Sequence, residues 1–362
     1  MNQRIIIVDI LKGFAIMAVV QVHVNCQLPE LALFYSGILG LMWCVPMFFF
    51  LSGFFVKEER LFDTKVFLTT KFRGLYLKGL YYFIPATILH NAFFEIGWYN
   101  PNIDYSGKFE KVLQTGDHIL LIFKQFLLLS REPILGAMWF VDSLFIASVG
   151  LAAIGWFLKR TKLGGYKALC FIVLIFIIAF NILTNIYGIT IPKVSNSITA
   201  MGLILLGGMM FKKGYCLKIN KYSFAIALSV LWSISIVDHN INVGLNSYTS
   251  IVQLVGITVS AYYTLAYIAQ KIENTIVGMV CAYIGEYSFA IMGLHIVGFK
   301  LCSTVLSTIF GKNHVAYCLT TPELGTDYCM AALYFLCGII VPISIVRFIE
   351  FICTKIKNNV IR

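Results

Sequence analysis

Charge is scarce in this chain. Charged residues make up 12% of its 362 amino acids, against about 25% in a typical soluble domain. Hydrophobic residues reach 59%, and the mean hydropathy is +0.84. That balance excludes an ordinary soluble protein and predicts a polytopic membrane protein. A soluble domain is missing too: the longest polar stretch runs only from Gly97 to Asp117. There is no Walker motif and no GxGxxG loop, which excludes a nucleotide-driven pump. No internal repeat, inverted repeat or low-complexity tail is visible. The ten cysteines lie mostly inside hydrophobic segments without a CxxC pair, so no metal site is expected. Cys318 and Cys329 share one predicted extracytoplasmic loop, where a disulfide and two free thiols are both open readings. No small-residue cleavage site follows the first apolar segment, whose sequel is Asn25-Cys26-Gln27-Leu28-Pro29-Glu30. The segment is expected to stay in place as the first span.

What is present is a series of long apolar runs. Ten can be marked: 5–25, 36–56, 74–96, 136–158, 167–188, 197–212, 222–238, 248–270, 282–308 and 329–354. The run from His118 to Ser130 is short and holds Lys124, so it reads as a re-entrant or interfacial helix. The net charge of +11 suggests nucleic acid at first sight, but its distribution argues otherwise. With the N-terminus inside, 21 of the 28 Lys and Arg residues fall on the cytoplasmic side. The positive-inside rule predicts such a bias. The fold expected is therefore all-α, one transmembrane domain over residues 1–362, with about ten helices, both termini cytoplasmic, in the cytoplasmic (inner) membrane.

Within these runs the expensive residues stand out. Asp9, Lys12 and His23 all lie on the first span. At about 100° per residue, Lys12 and His23 differ by roughly 20° around the helix, and Asp9 lies about 60° from Lys12. The three share one face, with Lys12 and His23 about 16 Å apart along the axis. Such residues usually face a bundle interior or a wet cavity. The plainer reading of Asp9 and Lys12 is an i, i+3 ion pair at the cytoplasmic interface. The stretch from Lys57 to Lys78 is the densest basic segment, either a topological anchor or a site for an anionic group. Ser52-Gly53 closes a phenylalanine run and reads as a small-residue helix contact or a site. Asp142, after Trp139-Phe140-Val141, reads as an unpaired acid inside a span. Glu286 and His295 lie on a late helix.

Taken in order, these motifs resemble the acyltransferase family 3 membrane proteins, which O-acylate surface glycans in bacteria. The family's first helix carries an acidic residue, then a basic residue, ten residues and a histidine. Here that reads Asp9-Ile10-Leu11-Lys12, ten residues, His23. Phe49-Phe50-Leu51-Ser52-Gly53 is similar to its second-helix signature, and Lys71-Phe72-Arg73 with Pro85 to its basic segment. Trp139-Phe140 resembles its Trp-Phe pair, and Ser288 to His295 its late Ser-to-His helix. Lys12 departs from the commoner arginine; lysine keeps the charge but loses the bidentate fork.

The resemblance implies acetyl-CoA or a related acyl-CoA as donor and a carbohydrate or lipid-linked glycan hydroxyl as acceptor. His23 is then the base for the hydroxyl proton, or the carrier of a covalent acyl group. A buried position would favour its neutral form. Asp9 and Lys12 would order the cytoplasmic vestibule, with Lys12, Lys71 and Arg73 receiving CoA phosphates. Ser52, Trp139 and His295 would line the donor or acceptor path. The competing class is a proton-coupled transporter or flippase of glycan intermediates, which intramembrane Asp9, His23, Asp142, Glu286 and His295 would also suit.

Overall fold

The computed structural model describes residues 6–24, 42–99, 112–191, 193–237, 241–310 and 328–360. Among them every regular element is helical, apart from an isolated bridge between Asn242 and Ser247. In chain order the α-helices are α1 (Ile6–Val24), α2 (Cys44–Gly53), α3 (Glu58–Phe62), α4 (Thr64–Lys71) and α5 (Lys78–Ile88). They continue with α6 (His90–Glu95), α7 (Thr115–Phe126), α8 (Trp139–Thr161), α9 (Tyr166–Tyr187) and α10 (Val194–Lys212). The last are α11 (Lys221–Val237), α12 (Ile251–Ile272), α13 (Ile276–Glu286), α14 (Ser288–Phe310) and α15 (Tyr328–Val360). A π-helical stretch, Phe72–Leu77, joins α4 to α5, and a 3-10 stretch, Pro133–Met138, leads into α8.

Seven of the described helical segments are long and apolar enough to cross a membrane: Ile6–Val24, Pro133–Thr161, Tyr166–Tyr187, Val194–Lys212, Ile251–Ile272, Ser288–Ile309 and Cys329–Ile356. Three shorter apolar helices are α2, α11 and α13. In α9 the most apolar window has a mean hydropathy of 2.6, yet only 17% of it is buried. Apolar surface left so open is tolerated where lipid is the solvent. The protein is a multi-pass membrane protein.

Where helices depart from the expected runs, the causes are local. The run at 74–96 is interrupted by the π-helical stretch, and Leu89, with ψ near 2°, separates α5 from α6. The run at 282–308 begins earlier, at Ile276, and breaks at Tyr287 between α13 and α14. The apolar run around His118 forms α7, twelve residues long and therefore too short to span. Its first turn is fixed by the Gln114 N–H donating to the Asp117 carboxylate at 3.1 Å. Cys329 is exposed, while Cys318 lies outside the described residues.

The chain divides into two compact units. The first contains residues 6–19, 42–79 and 139–285. Glycines set its closest crossings. A Cβ at Gly13 of α1 would collide with the Cys281 carbonyl of α13, and one at Gly285 with the Asp9 carbonyl. The α2 and α10 helices meet the same way, Gly53 against the Ile204 carbonyl and Gly207 against the Phe50 carbonyl. This is the small-residue packing that draws helices together where no hydrophobic force between them exists. The phenylalanine run fills the space around it. Phe49 lies 4.6 Å from the ring of Phe140, Phe50 lies 5.2 Å from Tyr262, and Phe54 stacks on Phe211 at 4.8 Å. Phe49, Phe50, Phe54, Phe140 and Tyr262 are core, and Phe211 is half-buried at its edge.

The second unit contains residues 20–24, 80–99, 112–138, 286–310 and 328–360. Here α14 packs on α15, with Gly298 against the Cys337 carbonyl and Ser303 bonded to the Tyr334 hydroxyl at 2.7 Å. The Pro133–Met138 stretch lies on α14, where the sulfur of Met138 reaches Gly293.

Candidate functional site

The stripe on α1 begins in the first unit. Lys12 Nζ lies 3.3 Å from Asp9 Oδ1, the i, i+3 ion pair anticipated from spacing. Asp9 is buried, and the Lys12 side chain is 30% exposed. The Lys12 ammonium also sits 5.4 Å from the centre of the Phe55 ring, a cation–π distance.

At its other end, in the second unit, His23 is half-buried. Its ring lies 4.9 Å from that of His295, edge to face at 66°. His295 is fully buried, and Nδ1 is 2.9 Å from the Ile291 carbonyl. A carbonyl only accepts, so the neutral ring carries its proton on Nδ1 and a lone pair on Nε2. That Nε2 has no hydrogen-bond partner among the described residues. A buried acceptor left open is costly, and inside a membrane helix it points to a polar ligand or a travelling proton.

Glu286, the last residue of α13, is in the second unit, while Lys71, Arg73, Ser52 and Trp139 are in the first. Lys71 ends α4, half-buried, with Nζ 5.6 Å from the centre of the Phe67 ring. Burial pushes its pKa down from the ordinary lysine value. Arg73 is exposed in the π-helical stretch that follows, a helix type frequent at functional sites. The Ser52 hydroxyl donates to the Phe48 carbonyl of its own helix at 2.7 Å, and Gly53 beside it makes the expected small-residue contact. Trp139 is half-buried against the turn at Gly244.

Asp142 corrects the sequence reading. It is paired: Lys193 Nζ lies 3.1 Å from Oδ2, and Asp142 is 3% exposed. Lys193 stands at the N-cap of α10 with φ +64°, so the ion pair comes from tertiary packing and no local pattern announces it.

One group gave no sequence signal. In the second unit His90 Nδ1 lies 2.6 Å from Glu132 Oε1, and the Tyr99 hydroxyl donates to the same oxygen at 2.5 Å. His90 and Glu132 are both fully buried. Burial, and then the Glu132 charge, push the Tyr99 pKa well above the ordinary phenol value. His90 follows the break at Leu89, and Glu132 comes 42 residues later, beyond α7, so spacing could not pair them. Glu132→Ala removes the acceptor shared by two buried donors. A loss of about 3 kcal/mol or more in stability is expected, read as a lower melting temperature in detergent, with Glu132→Gln retaining part of it.

These observations define a class: a helical multi-pass membrane protein that holds several polar clusters buried among its helices. A family model described as an acyltransferase domain matches residues 5–347. The chain belongs to that family and is a membrane acyltransferase. No curated protein and no solved structure matches the chain.

Proposed function

We propose that the protein moves an acetyl or other short acyl group from acyl-CoA to a hydroxyl of a cell-surface carbohydrate or its lipid-linked precursor. His23 takes the hydroxyl proton as the oxygen attacks the thioester carbonyl. The carbon–sulfur bond breaks, and the departing CoA thiolate receives the proton from His23. The products are an ester and free CoA. The observation that carries this reading is the His23–His295 pair, two imidazoles 4.9 Å apart with an unfilled acceptor on the buried one. His295 positions His23 and borders the reacting atoms.

Acyl-CoA suits the spacing on α1. Lys12 and His23 stand about 16 Å apart along the helix, so a ligand touching both must be long and thin, anionic at one end and reactive at the other. Lys12, Lys71 and Arg73 hold the phosphates, and Asp9 orders Lys12. Ser52 lies on the donor side of this arrangement. Ten crossings with both termini in the cytoplasm of a bacterial inner membrane fit the charge bias of 21 basic residues in 28.

The test is release of free CoA by purified protein in detergent, given acetyl-CoA and a pool of glycoside acceptors. Acceptor-dependent release is expected. No release, together with no acetyl-CoA binding by calorimetry, would turn the assignment toward a transporter. The Lys71→Ala, Arg73→Ala double variant is expected to raise the KM for acetyl-CoA about tenfold and to leave kcat nearly unchanged. That split marks binding lost equally from ground and transition states. An unchanged KM would remove both residues from the donor site.

A further inference from the structure

In the first unit a ring of contacts closes where α8 and α10 begin. Trp139 of α8 packs its indole edge on Gly244, where a Cβ would meet it at 2.9 Å. The Gly244 carbonyl accepts from Asn196 Nδ2 of α10 at 3.4 Å. Lys193, three residues before Asn196, reaches Asp142 at 3.1 Å. Asp142 is three residues after Trp139, which completes the ring. Ser143 lies on the same stripe of α8, four residues after Trp139.

Two polar atoms are open, one in this ring and one beside it on α8. Ser143 is fully buried and Asn196 is 5% exposed, yet Ser143 Oγ and Asn196 Oδ1 have no hydrogen-bond partner among the described residues. The Asn196 amide is oriented by its bond to a carbonyl, which can only accept, so the open atom is an oxygen. One turn further along α10 the situation is reversed. The Thr199 hydroxyl is bonded to Asn246 Oδ1 at 2.8 Å and to the Tyr248 hydroxyl at 2.9 Å, and Asn246 donates to Thr184 at 3.2 Å. The polar seam is saturated at that level and unsaturated at the ring, which leaves two oxygens able to bond an incoming polar group.

Its chemistry can be narrowed. Asp142 and Lys193 are engaged with each other at 3.1 Å, so the groups left for a ligand are Ser143 and Asn196. This region offers an acceptor at Asn196, a hydroxyl that both donates and accepts at Ser143, and an indole surface at Trp139. Vicinal hydroxyls backed by a C–H face are the complement of that set. The cationic ends of α8 and α10, at Lys159, Arg160 and Lys212, are at the opposite ends of these helices. Asp142 and Lys159 are about 26 Å apart along α8, nearly the thickness of a bilayer core.

We infer that this ring is the acceptor subsite, holding a neutral sugar through Trp139, Ser143 and Asn196. The inference rests on the acyl-CoA-to-carbohydrate reading above and adds where the acceptor binds.

Ser143→Ala separates this role from a structural one. Removing a buried hydroxyl that bonds nothing leaves stability unchanged or raises it, so a structural role predicts no kinetic effect. A sugar contact predicts a rise of about three- to tenfold in the KM for the acceptor, with the KM for acetyl-CoA constant. The probes are p-nitrophenyl glycosides of several hexoses, with acetyl-CoA as donor. In parallel, glycoside binding without donor is followed by tryptophan fluorescence, and Trp139→Phe is expected to abolish the response. An acceptor KM unchanged in Ser143→Ala, or a fluorescence response that survives in Trp139→Phe, overturns the subsite. Glycoside binding that needs Trp139 but never leads to CoA release keeps the subsite and overturns the acyl-transfer reading.

Discussion

Replacing His23 by alanine is expected to lower acceptor-dependent CoA release by about two to four orders of magnitude, the usual contribution of a positioned general base. The same variant should melt at nearly the wild-type temperature. His23 is half-buried, so truncation removes a reactive group without opening a large void in the core. Acetyl-CoA binding should persist, because Lys12, Lys71 and Arg73 are untouched. His295→Ala supplies the contrast. Its ring is fully buried and bonded to the Ile291 carbonyl, so its loss costs stability as well as rate. If His23→Ala keeps most of its activity and His295→Ala has none at equal folded fraction, the base is His295, whose Nε2 lone pair is already open. The measurement is steady-state CoA release, normalised to folded protein.

The stripe on α1 was legible because a helix has a fixed period. Three polar residues in an apolar run fall on one face whatever surrounds them, and the Asp9–Lys12 ion pair follows from local geometry alone. The glycine of Ser52-Gly53 was legible for a similar reason: a small residue in a bulky run marks a close helix approach. The partners that depend on tertiary contact were hidden. Nothing near Asp142 announces Lys193, whose placement depends on a left-handed residue at the start of another helix. His90 and Glu132 were passed over altogether, since both border irregular chain, where neither helical period nor spacing carries information. The break at Tyr287 was hidden as well. Hydropathy averages over a window and is blind to one residue that interrupts a hydrogen-bond ladder. The family resemblance supplied order along the chain, and it joined His23 to His295 only as members of one signature set; their contact is a property of the fold.

The Gly285→Val variant is expected to do the most structural damage. A side-chain carbon at Gly285 would lie inside the van der Waals surface of the Asp9 carbonyl and of the Gly13 amide nitrogen. All of these are backbone atoms, so no rotamer change relieves the clash, and α1 and α13 must move apart. The crossing also loses its buried cluster of Ile10, Ala269 and Cys281. A cost of more than about 3 kcal/mol is expected, above the ordinary range for overpacking. It should be read as low yield and an early, broad melting transition in detergent. The damage is directed at function too, since Gly285 packs on the residue that holds Lys12. Any folded fraction should therefore bind acetyl-CoA weakly. Gly116→Ala, where a new Cβ in α7 meets nothing within 4 Å, should be neutral or slightly stabilising. If Gly285→Val and Gly116→Ala melt alike, then α1 and α13 are not in backbone contact, and the small-residue crossing is not what fixes the Asp9–Lys12 end of the stripe.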